Sequence, residues 1–80
     1  MSIVKGSIVQ AKAGRDKEGF FVVIKTEGEF AFIADGKQRR VENPKRKKKI
    51  HLAATKTVID GSFETNPQVK RILNNFKNGG

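Results

Sequence analysis

The sequence predicts a mainly β fold: a small SH3-like, five-stranded, partly open barrel with one C-terminal α-helix packed on it. Two observations predict this class. Short apolar segments with strand periodicity are separated by tight, glycine-containing turns, and only the C-terminal segment has helical periodicity. With 80 residues and no internal repeat, we expect one domain with a small core.

The first two strands are expected to form a hairpin between Gly6 and Ile24. Apolar residues alternate with polar ones before the turn, which is the period of a half-buried strand; they are Val9, Ala11 and Ala13. The apolar run 20–24 follows the turn as the second strand. Because Phe20 and Phe21 cannot both face the core, we expect one of them to be covered by the helix or exposed.

The polar loop of this hairpin presents positive charge. Gly14 and Gly19 accept positive φ angles, and the carboxylate of Asp16 can accept hydrogen bonds from nearby backbone N–H groups. Arg15 and Lys17 place two cations at the loop tip. We interpret these cations as phosphate contacts and Gly14 and Asp16 as structural residues; the alternative is a solvated turn.

Two more strands are expected to form a second hairpin. After a reverse turn at residues 25–29, the run 30–34 predicts the third strand. Asp35-Gly36 is the strongest hairpin signal of the chain, and a type I′ turn there requires positive φ at both central residues. The fourth strand is then predicted over residues 37–42, paired with the third.

This fourth strand contains a conflict. If Val41 faces the core, strict alternation turns Lys37 and Arg39 inward as well. Either the two cations reach solvent at the open end of the barrel, or a β-bulge shifts the register. Asn43-Pro44 ends the strand, because proline cannot donate a hydrogen bond to the ladder.

The C-terminal part of the chain completes the predicted fold. A loop is expected over residues 45–48, and Ile50 and Leu52 suit the inner face of a fifth strand. Phe63 would form an apolar plug beneath the last element.

That last element is predicted to be a helix. Apolar residues recur there at i, i+3, i+4 and i+7; they are Val69, Ile72, Leu73 and Phe76. Thr65 or Asn66 would cap the helix, Pro67 suits its first turn, and Gly79 with Gly80 ends it. We expect the helix to close an open end of the barrel. The expected boundaries within residues 1–80 are a barrel at about 6–54, a connecting segment at 55–65 and the helix at about 66–77.

Positive charge is concentrated in one stretch of the chain. The protein has 17 Lys and Arg against eight acids, a net charge of +9. The segment from Lys37 to Lys49 holds eight basic residues and one acid, and therefore seven of those nine charges. Because apolar residues interrupt this block and it lies between strands, we interpret it as a surface for a polyanion rather than as a solvated tail.

The arginines and lysines of this block suggest different roles. Arg39 and Arg40 can bind phosphate bidentately and stack on unpaired bases, so they are the strongest candidates for contacts to structured RNA. The five cations of residues 45–49 suit binding that does not depend on the base sequence of the RNA, and at least two of them should be dispensable for that binding. The candidate contacts are Lys12, Arg15, Lys17, Lys37, Arg39, Arg40, Lys45, Arg46, Lys47, Lys48, Lys49 and His51. The candidate structural residues are Gly14, Asp16, Gly19, Asp35 and Gly36.

Other functions have less support in the sequence. We assign Phe20, Phe21, Phe30 and Phe32 to the core rather than to a base-stacking platform. His51 is the only histidine and there is no cysteine, so a zinc site lacks ligands, and His51 is interpreted as a surface or RNA-edge residue. No nucleophile–base arrangement or glycine-rich phosphate loop indicates an enzyme or a cofactor.

The sequence also bears on localisation. No apolar run approaches the ~18 residues that span a membrane, and the N-terminus lacks the apolar segment of a signal peptide. The absence of cysteine fits a reducing compartment. We therefore expect a cytoplasmic protein.

Several segments, in this order, resemble the KOW family; they are Gly14-Arg15-Asp16, Asp35-Gly36-Lys37, Asn43-Pro44-Lys45-Arg46-Lys47 and His51-Leu52. The stretch from Gly6 to Leu52 is similar to the KOW ribosomal proteins of the archaeal and eukaryotic large subunit and to their small bacterial relatives. The turn 15–19 is one residue longer than the usual spacing. The resemblance independently implies an SH3-like fold and RNA binding.

We therefore expect an RNA-binding module that contacts ribosomal RNA, as a ribosome-associated or assembly protein, and that recognises phosphate backbone and RNA shape. Ribosomal proteins would be further partners, and neither a membrane nor a small-molecule substrate is expected. One alternative is an SH3-like protein-interaction module, which an exposed apolar groove would indicate. The other is a nonspecific DNA-binding protein.

Overall fold

A computed structural model describes residues 2–14 and 17–79. The strands are β1 (Ser7–Ala11), β2 (Phe20–Glu27), β3 (Phe30–Ala34), β4 (Lys45–Lys48) and β5 (Leu52–Val58), and the helix is α1 (Asn66–Gly79). The strands form one antiparallel sheet in the order β4-β3-β2-β1-β5. A short 3₁₀ turn, Lys49–His51, joins β4 to β5. The sheet is not closed, and together with α1 it forms the small SH3-like, partly open barrel that the sequence predicts.

Strand β1 and the first half of strand β2 are buried on both faces. Their inner face contributes Val9 and Phe21 to a core cluster inside the curved sheet. Their outer face contributes Ile8 and Val22 to a second cluster under the helix. The expectation for the paired phenylalanines is confirmed, because Phe21 points into the first cluster while Phe20 joins the second.

The helix covers the outer face of β1 and β2, whereas we expected it at an open end of the barrel. Val69 and Leu73 are buried in the second cluster, and the rings of Phe20 and Phe76 pack with their centroids 5.3 Å apart. Phe63, the expected plug, is also buried in this cluster. No helix within the described residues has the length and apolar character required to cross a bilayer.

Residues Thr65 and Gln68 begin the helix with reciprocal hydrogen bonds. The backbone N–H of Gln68 donates to Thr65 Oγ1 (3.3 Å), and the backbone N–H of Thr65 donates to Gln68 Oε1 (3.1 Å). This arrangement is a capping box, which satisfies N–H groups that have no partner inside the helix. Of the two residues that the sequence offered as the cap, Thr65 and Asn66, it is Thr65 that caps the helix.

The predicted fourth strand is wrong. Residues 37–42 form a loop, and the strand that pairs with β3 is Lys45–Lys48, where we expected a loop. The cause is Asp35, whose Oδ1 accepts hydrogen bonds from the backbone N–H groups of Lys37 (2.8 Å) and Arg39 (2.9 Å). A carboxylate that bonds the following backbone competes with strand pairing. Because residues 37–42 do not form a strand, alternation does not turn Lys37 and Arg39 towards the core, and the conflict described above does not arise.

The expected type I′ turn at Asp35-Gly36 is also wrong. Gly36 has a φ of 81°, but Glu18 is the one non-glycine residue of the described chain with a positive φ, so Asp35 does not meet the requirement. The N–H groups of both residues instead donate to the carbonyl oxygen of Arg39, at 2.8 and 3.1 Å.

The last strand differs from its prediction at both ends. Ile50 lies in the 3₁₀ turn and is 72% exposed, so its assignment to the inner face is wrong, whereas Leu52 is buried as expected. At its other end β5 continues to Val58, into the expected connecting segment.

Candidate nucleic-acid interface

The loop of the first hairpin is closed by backbone hydrogen bonds at its base. The N–H of Glu18 donates to the carbonyl of Ala11 (2.7 Å), and the N–H of Ala11 donates to that of Gly19 (3.0 Å). Gly14 has a φ of 81°, in agreement with its conformational role, and Lys17 is exposed. Arg15 and Asp16 lie outside the described residues, so the roles assigned to them stay predictions.

The basic strand β4 sends its cations to two faces. Lys45 and Lys47 pair with Ile33 and Ala31, whose side chains face the inner core. Arg46 and Lys48 pair with Phe32 and Phe30 and lie on the outer face of the sheet. The Lys37–Lys49 block is therefore divided between two surfaces.

Lys47 connects β4 to the first hairpin. Its Nζ donates to the carbonyl oxygen of Ala13 at 2.9 Å, across the open side of the curved sheet. A Cβ placed on Gly14 would lie 3.2 Å from the same Nζ. The lysine strand and the hairpin loop, which are more than 30 residues apart in sequence, are thus in direct contact.

The 3₁₀ turn brings a third group to the same hairpin. The backbone N–H of Lys12 donates to the carbonyl oxygen of His51 at 2.9 Å, and both side chains are exposed. Lys49, half-buried, donates its backbone N–H to the carbonyl of Glu29 (2.8 Å), at the turn between β2 and β3. Lys12, Lys47 and His51 therefore converge at the base of the hairpin loop.

The loop that carries Arg39 and Arg40 is attached to the start of the helix. The N–H of Val41 donates to Asn66 Oδ1 (2.9 Å), and Asn66 Nδ2 donates to Glu42 Oε1 (2.8 Å). The guanidinium Nε of Arg40 donates to the other carboxylate oxygen of Glu42 at 3.1 Å. Arg40 is therefore partly neutralised, while Arg39 is half-buried and its carbonyl closes the loop.

These contacts stabilise the charged form of Glu42. Its pKa falls from 4.5 to about 2, because the carboxylate accepts hydrogen bonds from the Asn66 amide, from its own backbone N–H and from Arg40. Arg40, one of the two strongest sequence-based candidates, thus already has an anionic partner in the free protein.

Phe30 and Phe32 are not core residues, and their assignment to the core is wrong. The inward positions of β3 belong to Ala31 and Ile33, so alternation turns the two rings to the outer face, where they are half-buried. The Arg46 guanidinium carbon lies 4.4 Å from the ring centroid of Phe30, and Lys25 Nζ lies 4.6 Å from that of Phe32. These cation–π contacts cover the rings.

Acidic side chains accompany this outer aromatic face. Lys25 forms an ion pair with Glu27 (3.3 Å), and Lys48 forms one with Glu29 (3.8 Å). Carboxylates beside the rings disfavour phosphate there, so the outer face is a weaker candidate for a nucleic-acid backbone than the hairpin side.

Sequence reasoning missed the cations of the helix. Lys70 and Lys77 line a cleft together with Lys37 and Gly19, which places them beside the first hairpin. Their seven-residue spacing was a visible signal, since it places both on one side of the helix. Periodicity alone did not reveal which side of the helix would face the hairpin.

The fold and these side chains define a small SH3-like barrel whose first hairpin lies beside cations of β4, the loop 35–43 and α1 and beside His51 of the 3₁₀ turn. Within residues 2–14 and 17–79, no three His, Asp or Glu side chains are grouped closely enough to hold a metal ion. Comparison of the chain with models of protein families found no match, and a search of curated proteins found no similar protein.

Proposed function

We propose that this protein is an RNA-binding module of the KOW type that contacts ribosomal RNA through the surface around its first hairpin. The observation that supports the proposal best is the hydrogen bond from Lys47 Nζ to the Ala13 carbonyl. It joins the lysine-rich strand to the hairpin that carries the KOW resemblance. Lys47 of the basic block therefore lies beside that hairpin and not on a separate surface.

Binding on this surface would consist mainly of contacts to phosphate. Lysine ammonium groups act as point charges, and the exposed cations of the hairpin, Lys12 and Lys17, are directed to solvent. Such contacts position an RNA without reading its bases, so RNA shape would determine the choice of site. The function is that of a binding protein of the cytoplasm, not of an enzyme.

A salt titration tests the proposal. With ~6 phosphates neutralised, log affinity should fall with log salt at a slope of about −5 on duplex RNA and about −4 on single strands. A slope near zero on folded ribosomal RNA would contradict RNA binding through phosphates. Duplex DNA that competes equally well at matched salt would favour a nonspecific DNA-binding protein instead.

A matched pair of variants locates the surface. Lys12→Gln with Lys17→Gln removes two exposed charges of the hairpin, and Lys56→Gln with Arg71→Gln removes two exposed charges elsewhere. The first pair should reduce the magnitude of the salt slope by about 1.8 if each lysine contacts one phosphate, and the second should leave it nearly unchanged. Equal effects of the two pairs would show that binding depends on net charge alone.

A protein-interaction module is the second candidate, favoured by one observation. A largely apolar groove of about 250 Å³ lies between the end of β5 and the helix, lined by residues that include Ile59, Ile72 and Phe76. Asn75 also lines it, so Asn75→Glu would place a charge there. Loss of ribosome association in this variant with unchanged RNA affinity would favour the second candidate.

Crosslinking in cells identifies the partner. Ribosomal RNA should dominate the nucleic acid attached to the protein, and the protein should sediment with ribosomal particles on a gradient. Attachment chiefly to DNA, or sedimentation only with free protein, would contradict a ribosomal role.

A further inference from the structure

A cleft of about 140 Å³ separates the first hairpin from the helix. Its lining includes Gly19 of the hairpin, Lys37 of the following loop, and Lys70, Asn74 and Lys77 of α1. The volume is several times the ~30 Å³ that one water molecule occupies in the liquid, so a small polyatomic group fits inside. Residues from three separate parts of the chain thus line one small, partly open space.

The charges around this cleft are arranged for an anion. Lys37, Lys70 and Lys77 are exposed, and none of them forms an ion pair with another residue of the described ranges. Asp35 also lines the cleft, but its Oδ1 is already occupied by two backbone N–H groups. Among the described residues that line it, the cleft therefore has three cationic groups against one carboxylate.

Apolar side chains strengthen the field of these cations. The remaining lining comes from Phe20, Phe21 and Leu73, all of which belong to the core clusters. Clefts that have charges of one sign and low-dielectric walls concentrate the electrostatic potential. An anion in the cleft would be attracted more strongly than one near a lysine on an open surface.

Close packing at Gly36 holds the loop 35–43 against the helix. A Cβ on Gly36 would lie 2.6 Å from the carbonyl oxygen of Asn66 and 2.9 Å from Cγ of Lys70. This close approach sets Lys37 next to the first turns of α1, and buried Leu73 fixes the rotation of the helix. Lys70, Asn74 and Lys77, at i, i+4 and i+7, then share the side that faces the cleft.

We propose that this cleft binds one phosphate group of the RNA backbone, contacted by the ammonium groups of Lys37, Lys70 and Lys77 and by the side-chain amide of Asn74. The inference rests on the proposed RNA-binding function and extends its surface from the hairpin to the helix. The RNA strand would pass along the first hairpin, from Lys47 on one side to the cleft on the other.

The test compares two double variants with equal loss of charge. Lys70→Gln/Lys77→Gln removes two cations of the cleft, and Lys56→Gln/Arg71→Gln removes two exposed cations that do not line it. On folded ribosomal RNA, the cleft variant should show a salt slope smaller in magnitude by about 0.9, the value for one phosphate. The control variant should match the wild-type slope.

The outcomes separate this inference from the proposed function. Wild-type protein with a slope near zero contradicts RNA binding itself. Wild-type protein with a steep slope, together with equal slopes for the cleft and control variants, contradicts the cleft alone. Thermal unfolding of each variant checks its fold, and Lys77→Gln, a single change at an exposed position, replaces the double variant if that one unfolds.

A second readout needs no RNA. Titration with inorganic phosphate, followed by amide chemical shifts, should move the signals of Gly19 and Asn74 in a saturable way in the wild-type and control proteins. The shifts should weaken in Lys70→Gln/Lys77→Gln. Shifts of equal size in that variant, or no shifts in the wild type, would overturn the proposal.

Discussion

Gly36 shows how a single residue holds the loop 35–43 in place. Its φ of 81° lies in the left-handed region, and its missing side chain allows the loop to touch the helix. Gly28 offers a matched comparison, because it also has a positive φ (57°) but no atom lies within 4 Å of where its Cβ would be. A comparison of substitutions at these two positions therefore separates the energetic cost of a positive φ from the cost of a steric clash.

Replacement of Gly36 by alanine should destabilise the protein more than replacement of Gly28. Left-handed backbone costs an alanine roughly 1–2 kcal/mol, and this cost applies at both positions. In Gly36→Ala the new Cβ would also lie 2.6 Å from the backbone carbonyl oxygen of Asn66. We therefore expect this variant to be destabilised by more than about 2 kcal/mol in all. Urea denaturation of both variants measures the difference, and equal destabilisation would contradict the close packing.

The carboxylate of Glu42 links the loop 35–43, which carries Arg39 and Arg40, to the first residue of the helix. Its pKa in the folded protein is about 2, against 4.5 for the free group. A lowered carboxyl pKa contributes stability that is fully present above the unfolded value and is lost as the pH falls towards the folded value. The contribution of Glu42 should therefore be complete above pH 4.5 and disappear towards pH 2.

The variant Glu42→Gln should lack this pH dependence. We expect it to be less stable than the wild type at neutral pH, with a difference that shrinks as the pH falls from 4.5 to about 2. Thermal unfolding across this range measures the difference, and side-chain NMR titration measures the pKa directly. A Glu42 that titrates near 4.5 would show that its contacts to Asn66 and Arg40 do not persist in solution.

At the scale of elements, the helix depends on its first turn. Thr65 and Gln68 bond each other's backbone N–H groups, and Gln68 Oε1 also accepts from the N–H of Glu64 (2.9 Å). Thr65→Ala should destabilise the protein by about 1 kcal/mol, the usual cost of losing such a cap. Thr65→Ser keeps the hydroxyl and should stay close to wild type in chemical denaturation. Equal losses in both variants would indicate that the methyl group, not the hydrogen bond, matters.

Elements with a clear period were predicted from the sequence, and elements made by side-chain contacts were not. The first hairpin and α1 have apolar patterns that specify which residues are buried. The apolar run of β3 indicates a strand but not its buried face, which belongs to Ala31 and Ile33. Strand β4 has no such pattern, since Lys45–Lys48 are all basic. Strand β4 lies at the edge of the sheet and is paired only with β3. Charged side chains are tolerated on such an edge strand, so the strand forms without an apolar pattern.

The candidate site was predicted in composition but not in arrangement. The sequence identified the cations of residues 37–49, yet their division between two faces follows from the β3–β4 register. Phe30 and Phe32 were misassigned because aromatic strand residues are usually buried, whereas Arg46 and Lys25 cover these two. The Glu42 carboxylate that pairs with Arg40 is also bonded by Asn66, which is 24 residues away from Glu42 in sequence.

At the scale of the whole molecule, charge density sets two opposing responses to salt. The net charge of +9 lies within a body measuring 26 × 25 × 23 Å. At about 0.01 M salt the Debye length is about 30 Å, so every cation repels every other across the protein. At about 0.1 M it is about 10 Å, and repulsion is limited to neighbours.

The folded state should therefore become more stable as salt rises over the range in which we expect RNA affinity to fall. Screening relieves self-repulsion of the compact chain, whereas it weakens attraction between lysines and phosphates. Thermal unfolding and RNA binding, measured in the same buffers between about 0.01 and 0.1 M salt, should change in opposite directions. If stability fell together with affinity, ion pairs within the protein would outweigh its repulsions. The cations around the hairpin would then be engaged with the protein's own acids, as Arg40 is with Glu42, and would not be available to phosphate.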